Sequence, residues 1–170
     1  AQAPDHRELR SITPFGAAHL VTGAGGTVLT SSDARTFTPR ATGTSAELWS
    51  AARSDAGRLV VVGAGGTILT STDEGATWAP VAAPNAATYL SVAFGPAGFV
   101  AVGVDGAALR SPDGLTWTGV STGSTRTLRS VASGDKGYAA VGADGTVIVT
   151  ADGAGWVAVT SPTDVTLRAV

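Results

Sequence analysis

One phrase is written four times along this chain: Val21-Thr22-Gly23-Ala24-Gly25-Gly26-Thr27-Val28-Leu29-Thr30-Ser31-Ser32-Asp33 recurs over 61–73, 101–113 and 140–152. The leading glycines, Gly23, Gly63, Gly103 and Gly142, stand 40, 40 and 39 residues apart. A period of this length builds an array of supersecondary units, none of which can bury its apolar faces alone, so neighbours must stack into a continuous core.

Each copy reads as four short strands. Strand A opens it at 9–12, 48–51, 89–92 and 128–131, with a further start at 167–170, and a turn rich in Gly, Pro, Asp and Ser follows at 13–17, 54–57, 95–98 and 133–137. Strand B is an unbroken apolar run such as Leu59-Val60-Val61-Val62, a pattern that belongs to a strand covered on both faces. The Gly-Ala-Gly-Gly or Gly-Ala-Asp-Gly segment then supplies residues tolerant of positive φ for a tight connection to strand C. Strand D begins at an aromatic residue, Phe37, Trp78, Trp117 or Trp156. No segment combines a 3.6-residue period with helix caps. Four-stranded antiparallel units every 40 residues predict an all-β fold of β-propeller blades. A β-solenoid is disfavoured, because its coils are usually shorter and need no second set of hairpin glycines. The expected organisation is an extension over 1–8 and one propeller, or part of one, over 9–170. Its units are 9–47, 48–88, 89–127 and 128–166, with the opening strand of a fifth at 167–170.

The charge balance, 11 Lys plus Arg against 13 Asp plus Glu, lacks the electrostatic footprint of a nucleic-acid or anionic-membrane binder. Ten of the basic residues are arginine, whose planar fork can pair with carboxylates or sugars, although a composition bias accounts for them equally well. There is no cysteine, hence no disulfide framework or thiolate metal site, and no apolar run approaches the length of a membrane span. The protein is therefore expected to be soluble. The start Ala1-Gln2-Ala3-Pro4 fits a mature end left by signal-peptide cleavage, which points to a secreted or periplasmic protein, and equally an arbitrary boundary.

Between strands C and D, Ser71-Thr72-Asp73-Glu74-Gly75-Ala76-Thr77-Trp78 follows the pattern Ser-x-Asp-x-Gly-x-Thr-Trp, and Ser111-Pro112-Asp113-Gly114-Leu115-Thr116-Trp117 is one residue shorter. The copies at 150–156 and 31–37 decay, the latter carrying Ala34 and Phe37 in place of Gly and Trp. A carboxylate here can accept backbone N–H groups across the turn, while the ring packs between sheets. On these motifs the chain resembles the Asp-box, or bacterial neuraminidase repeat, propellers, and most nearly the photosystem II assembly-factor group. More distantly it resembles the sialidase propellers. The resemblance implies that Asp33, Asp73, Asp113 and Asp152, with Trp78, Trp117 and Trp156, are structural and sit on the rim away from the ligand face.

No catalytic set is legible. The arginine triad, Tyr–Glu nucleophile pair and Asp acid/base of sialidases match no positions, since Tyr89 and Tyr138 lie in apolar strands and Glu8, Glu47 and Glu74 before strand A or in a rim turn. Asp105 and Asp144 read as turn residues beside Gly106 and Gly145. His6 and His19 are too few for a metal cluster, and the glycine turns lack the following helix of a phosphate loop. No metal, cofactor or nucleotide is expected.

The D–A and B–C loops are expected to share one face. In strand A one aligned column reads Arg10, Trp49, Leu90, Arg129 and Arg168, so that Arg10, Trp49, Arg129 and Arg168 form the candidate binding set at the channel mouth. Solvated arginines and a gap-filling tryptophan would give the same column. The leading expectation is a non-enzymatic scaffold for a protein partner; a glycan-binding propeller and a fragment of a glycoside hydrolase remain alternatives. Because the repeats suit a larger ring, either part of a longer propeller or a homo-oligomer is expected, with a closed four-blade monomer as the remaining alternative.

Overall fold

The computed structural model describes residues 8–170, so the expected extension over 1–8, with His6, lies almost wholly outside the described residues. Sixteen strands form four sheets, each joining four consecutive strands in antiparallel order. The first sheet holds β1 (Leu9–Phe15), β2 (Ala18–Gly23), β3 (Val28–Ser31) and β4 (Thr38–Arg40). The second holds β5 (Leu48–Arg53), β6 (Leu59–Gly63), β7 (Ile68–Ser71) and β8 (Ala79–Val81). The third holds β9 (Tyr89–Gly95), β10 (Gly98–Gly103), β11 (Ala108–Ser111) and β12 (Thr118–Val120), and the fourth β13 (Leu128–Gly134), β14 (Gly137–Gly142), β15 (Val147–Thr150) and β16 (Val157–Val159). Among the described residues the helical segments are four three-residue 3-10 turns between the second and third strands of each sheet, such as Ala64–Gly66. These are propeller blades, as the repeats predict.

The opening strands run further than the turn chemistry suggests. β1, β9 and β13 continue through Phe15, Gly95 and Gly134, because two-residue connections at Gly16-Ala17, Pro96-Ala97 and Asp135-Lys136 close the hairpins. The outer strands begin one residue after their aromatic residue.

Packing follows from the apolar runs. Val60, Val61 and Val62 are fully buried because the sheets cover both faces of β6. Three clusters form the seams: Leu20 and Leu48 join the first and second sheets, Phe99 and Val60 the second and third, Tyr138 and Val100 the third and fourth. Opening strands lie side by side across the seams. Val92 N–H donates to Ser50 Oγ at 3.2 Å, Val131 N–H to Ser91 Oγ at 3.1 Å, and Thr13 Oγ1 to the Ala51 carbonyl at 3.1 Å. These strands line the hub, while β4, β8, β12 and β16 form the exposed periphery.

The three core clusters join the first sheet to the second, the second to the third and the third to the fourth; among the described residues none joins the fourth to the first, and the array is an open arc. Residues 167–170, expected as a fifth opening strand, belong to no sheet, although the Leu167 N–H donates to the Gly142 carbonyl at 2.9 Å. They nevertheless occupy that position: Val170 N–H donates to Ser130 Oγ at 3.3 Å, as Val131 does to Ser91.

Candidate functional site

Two kinds of loop meet at one end of the arc. Gly26 N–H donates to the Ala46 carbonyl at 2.7 Å, Gly66 to Ala87 at 2.7 Å and Gly145 to Val165 at 2.9 Å, tying each B–C turn to the following D–A loop. Thr42 and Thr122 add hydroxyl bonds to the Gly26 and Gly106 carbonyls, both 2.8 Å. Asp105 and Asp144 adopt φ 52°, so their place in these turns is conformational, and Asp144 also forms an exposed ion pair with Arg126.

The candidate column sits at an irregularity that the repeat spacing does not disclose. In β1 Leu9 opposes Gly23 while Ser11 opposes Thr22, leaving Arg10 as the extra residue of a β-bulge; Trp49, Leu90 and Arg129 are the extra residues of β5, β9 and β13. A bulge re-aims its side chain out of the regular alternation, which is why such features cluster at sites. The leading glycines set it up. A Cβ on Gly103 would stand 2.0 Å from the Thr88 carbonyl oxygen, and on Gly142 2.1 Å from that of Thr127, so the chain before each opening strand lies directly over the glycine.

Arg10 and Trp49 meet. The guanidinium carbon lies 4.4 Å from the indole centroid, within cation–π range, and Nη2 bonds Glu8 Oε2 at 2.8 Å and Glu47 Oε1 at 3.1 Å. Arg10 is thus not a free cation: two carboxylates oppose it. Arg10 Nε and Trp49 Nε1 are both shielded from solvent and without a hydrogen-bond partner, as are His19 Nδ1 and Trp156 Nε1 elsewhere in the fold. Leu90 is half-buried. Arg129 and Arg168 are exposed and carry no side-chain bond among the described residues, and nothing brings them onto the Arg10–Trp49 pair. The repeated serines Ser11, Ser50, Ser91 and Ser130, one residue after the column, were recognisable as an invariant position of the repeat, yet only the structure shows three of them taking N–H groups across seams.

The Asp turns lie at the opposite end of the strands. Asp33 Oδ1 accepts from the N–H groups of Arg35 and Thr36, both 2.8 Å, Asp113 from Leu115 and Thr116, both 2.9 Å, and Asp152 from Ala154 and Gly155 at 2.9 and 3.0 Å. Asp73 takes the N–H and hydroxyl of Thr77. Those donors hold the carboxyls of Asp33, Asp73 and Asp152 at about 2, below the ordinary 3.8; the Thr36 N–H acts most strongly on Asp33, the Thr77 hydroxyl on Asp73 and the Ala154 N–H on Asp152. Asp113 is lowered chiefly by the Thr116 N–H. The rings point back to the preceding sheet: Trp78, Trp117 and Trp156 pack on the three seams in turn, with Trp78 and Trp117 donating Nε1–H to the Gly75 and Gly114 carbonyls.

A group depressed in the folded state contributes stability above its unfolded value and loses it as the pH falls through the folded one. The protein should therefore lose thermal stability between about pH 4 and pH 2. Asp73→Asn should lower the melting temperature at pH 7 and leave the pH 2 value nearly unchanged, as calorimetry at both pH values will read.

The tyrosines are core residues. Tyr89 is fully buried with its hydroxyl on Asn85 Oδ1 at 2.8 Å, and Tyr138 spans a seam to the Gly98 carbonyl at 2.7 Å; burial raises both above their ordinary value. His19 lies within β2. Among the described residues no three His, Cys, Asp or Glu side chains converge on a possible metal position, and no helix is long and apolar enough to cross a membrane.

The family model described as the DUF6242 beta propeller domain matches residues 56–167. No curated protein matches the chain. Solved structures similar to it include YCF48 bound to D1 peptide, at 15% identity and TM-score 0.64, and YCF48 from Cyanidioschyzon merolae, at 13% and 0.65. An ancestral GH74 enzyme matches at 15% and 0.73. The matches cover 93%, 96% and 91% of this chain but 55%, 64% and 24% of the others, so the chain spans just over half to under two thirds of the YCF48 structures. At these identities the likeness establishes a shared propeller fold, in agreement with the resemblance drawn from the repeats.

Proposed function

The chain belongs to the DUF6242 β-propeller domain family, and from that premise we propose that it is a non-enzymatic scaffold that binds a protein segment at the loop-bearing end of its hub. One observation carries the reading: Arg10 and Trp49, each the bulged residue of its strand and stacked on one another at the junction of two sheets, each keep an N–H donor without an acceptor. A buried donor left unmade costs about 1–3 kcal/mol, and oxygens of a peptide entering between the loops would supply the acceptors. Arginine and tryptophan are also the side chains that most often anchor protein interfaces. The structure of YCF48 with a D1 peptide supports a peptide as partner for such a propeller. The burial of both tyrosines and the engagement of Glu8 and Glu47 by Arg10 speak against sialidase-type chemistry.

Selection of a displayed random-peptide library against the 170-residue chain tests the reading. Enriched peptides should lose about tenfold or more of their affinity for Trp49→Ala and Arg10→Ala, and less for Arg129→Ala and Arg168→Ala. Peptide binding indifferent to Trp49 and Arg10 would place the site elsewhere. Hits on a glycan array without peptide enrichment would replace the partner with a sugar, and turnover of aryl glycosides would overturn the non-enzymatic assignment.

A further inference from the structure

Among the described residues the two outer sheets each leave one apolar face uncovered. On the fourth sheet an open groove of about 670 Å³ passes over Ala139, Val149 and Val157, with Val157 63% exposed. On the opposite face of the first sheet Leu9 and Ile12 are 57% and 58% exposed beside Phe37. Exposed apolar side chains grouped on one sheet face make each a candidate interface.

Three features identify the occupant. The first is steric. At the second and third seams a turn glycine of the following sheet presses on the second strand of the preceding one: a Cβ on Gly114 would stand 2.8 Å from Val60 Cγ2, and on Gly153 2.7 Å from Val100 Cγ2, while at the first seam Gly75 faces Thr30 Cγ2 at 3.0 Å. The first sheet has Ala34 in that place, at φ 56°, already carrying the methyl group those seams exclude. The fourth sheet has Ala139 in the register position of Val60 and Val100, lacking the γ-methyl groups that would collide. The added methyl and the missing one fall on the two surfaces without a neighbour.

The second feature is charge. Arg10, on the bulge of the first sheet, bonds Glu47, the residue before the opening strand of the second. The corresponding residues are Trp49 with Thr88 and Leu90 with Thr127 at the other seams, whereas the outer ends offer Arg129, with no ion pair among the described residues, and Glu8, which bonds Arg10 of its own sheet while its side chain stays 71% exposed. The one charged seam of the array is thus repeated only between its two ends. The third feature is continuity: residues 167–170 extend the seam along Ser130, and their sequence Leu-Arg-Ala-Val parallels Leu9-Arg10-Ser11-Ile12.

We propose that the chain binds a second copy of itself head to tail, the first sheet of one copy docking on the fourth sheet of the other in exchange for residues 167–170. Ala34 of the incoming copy then lies over Ala139, Glu8 meets Arg129, and the Ile12 N–H takes the Ser130 hydroxyl from Val170. Such a heterologous contact gives a ring where the rotation closes and a filament where it does not.

Sedimentation equilibrium of the full chain should show masses at multiples of the 16.7 kDa protomer. Arg129→Glu should weaken association about tenfold, and mixing it with Glu8→Arg should restore it. As the chain has no cysteine, Ala34→Cys protein mixed with Ala139→Cys protein should cross-link under mild oxidation. Both positions lie on open faces, so circular dichroism and melting of each variant should match the parent. Removal of 167–170 should strengthen association. A monomer at all concentrations, association indifferent to Arg129→Glu, mixed cysteine variants that do not cross-link, or association lost with 167–170 would each overturn the proposal.

Discussion

Gly106→Ala is expected to destabilise the protein by about 3 kcal/mol or more and lower its melting temperature by roughly 10 °C. Gly106 holds φ +71°, and a Cβ there would stand 1.8 Å from the Ser124 carbonyl oxygen and 2.7 Å from its carbon. Backbone cannot step aside as a flexible side chain can, so the D–A loop must lift off the B–C turn and give up the Thr122 hydroxyl bond to the Gly106 carbonyl. Gly123→Ala is the control. It has the same sign of φ, +70°, but nothing within 4 Å of the added methyl, so only the left-handed backbone cost of about 1–2 kcal/mol applies. Thermal unfolding of both variants separates strain from collision; equal losses would show that the close approach of the two loops contributes nothing.

Phe99→Ala is expected to cost about 3–5 kcal/mol, and its position predicts a second effect. Phe99 is 1% exposed, 4.8 Å from the Phe94 ring and 6.3 Å from Trp117, in the seam between the second and third sheets. Repeat arrays are stabilised by nearest-neighbour contacts, so a cavity at the middle seam uncouples two halves, whereas one at an outer seam loosens a single end. Calorimetry should show a broadened or divided transition for Phe99→Ala and a single lowered one for Leu20→Ala, which empties the first seam. A single sharp transition in both would mean that the four sheets do not unfold as neighbours in a line.

Much of this architecture was legible because its causes are local. Val60 to Val62 read as a doubly covered strand, and both faces are covered. Gly65 with Gly66, and Asp105 with Gly106, read as a turn needing positive φ, and all four adopt it. The Asp turns form the bonds their carboxylates suggested, and the tryptophans after them pack on seams. The hub was legible only as a column of residue types. That Arg10 is held by Glu8 and Glu47 while Arg129 is bare depends on which residues stand before the opening strand of the next sheet, some forty positions away. The bulge that aims the column escaped as well, because a single extra residue leaves the 40-residue spacing intact and shows only in the pairing register.

By itself the sequence determined the wedge, its strand order, its turns and its repetition, because hairpin closure and short apolar runs act over a few residues and tolerate only certain side chains. Tertiary structure alone decided that the four wedges leave an arc open, which faces stay bare, and that Arg10 and Trp49 stack with two donors unpaired. Those outcomes arise from register and curvature summed over successive seams, and a near-identical repeat carries no record of that sum in any one copy.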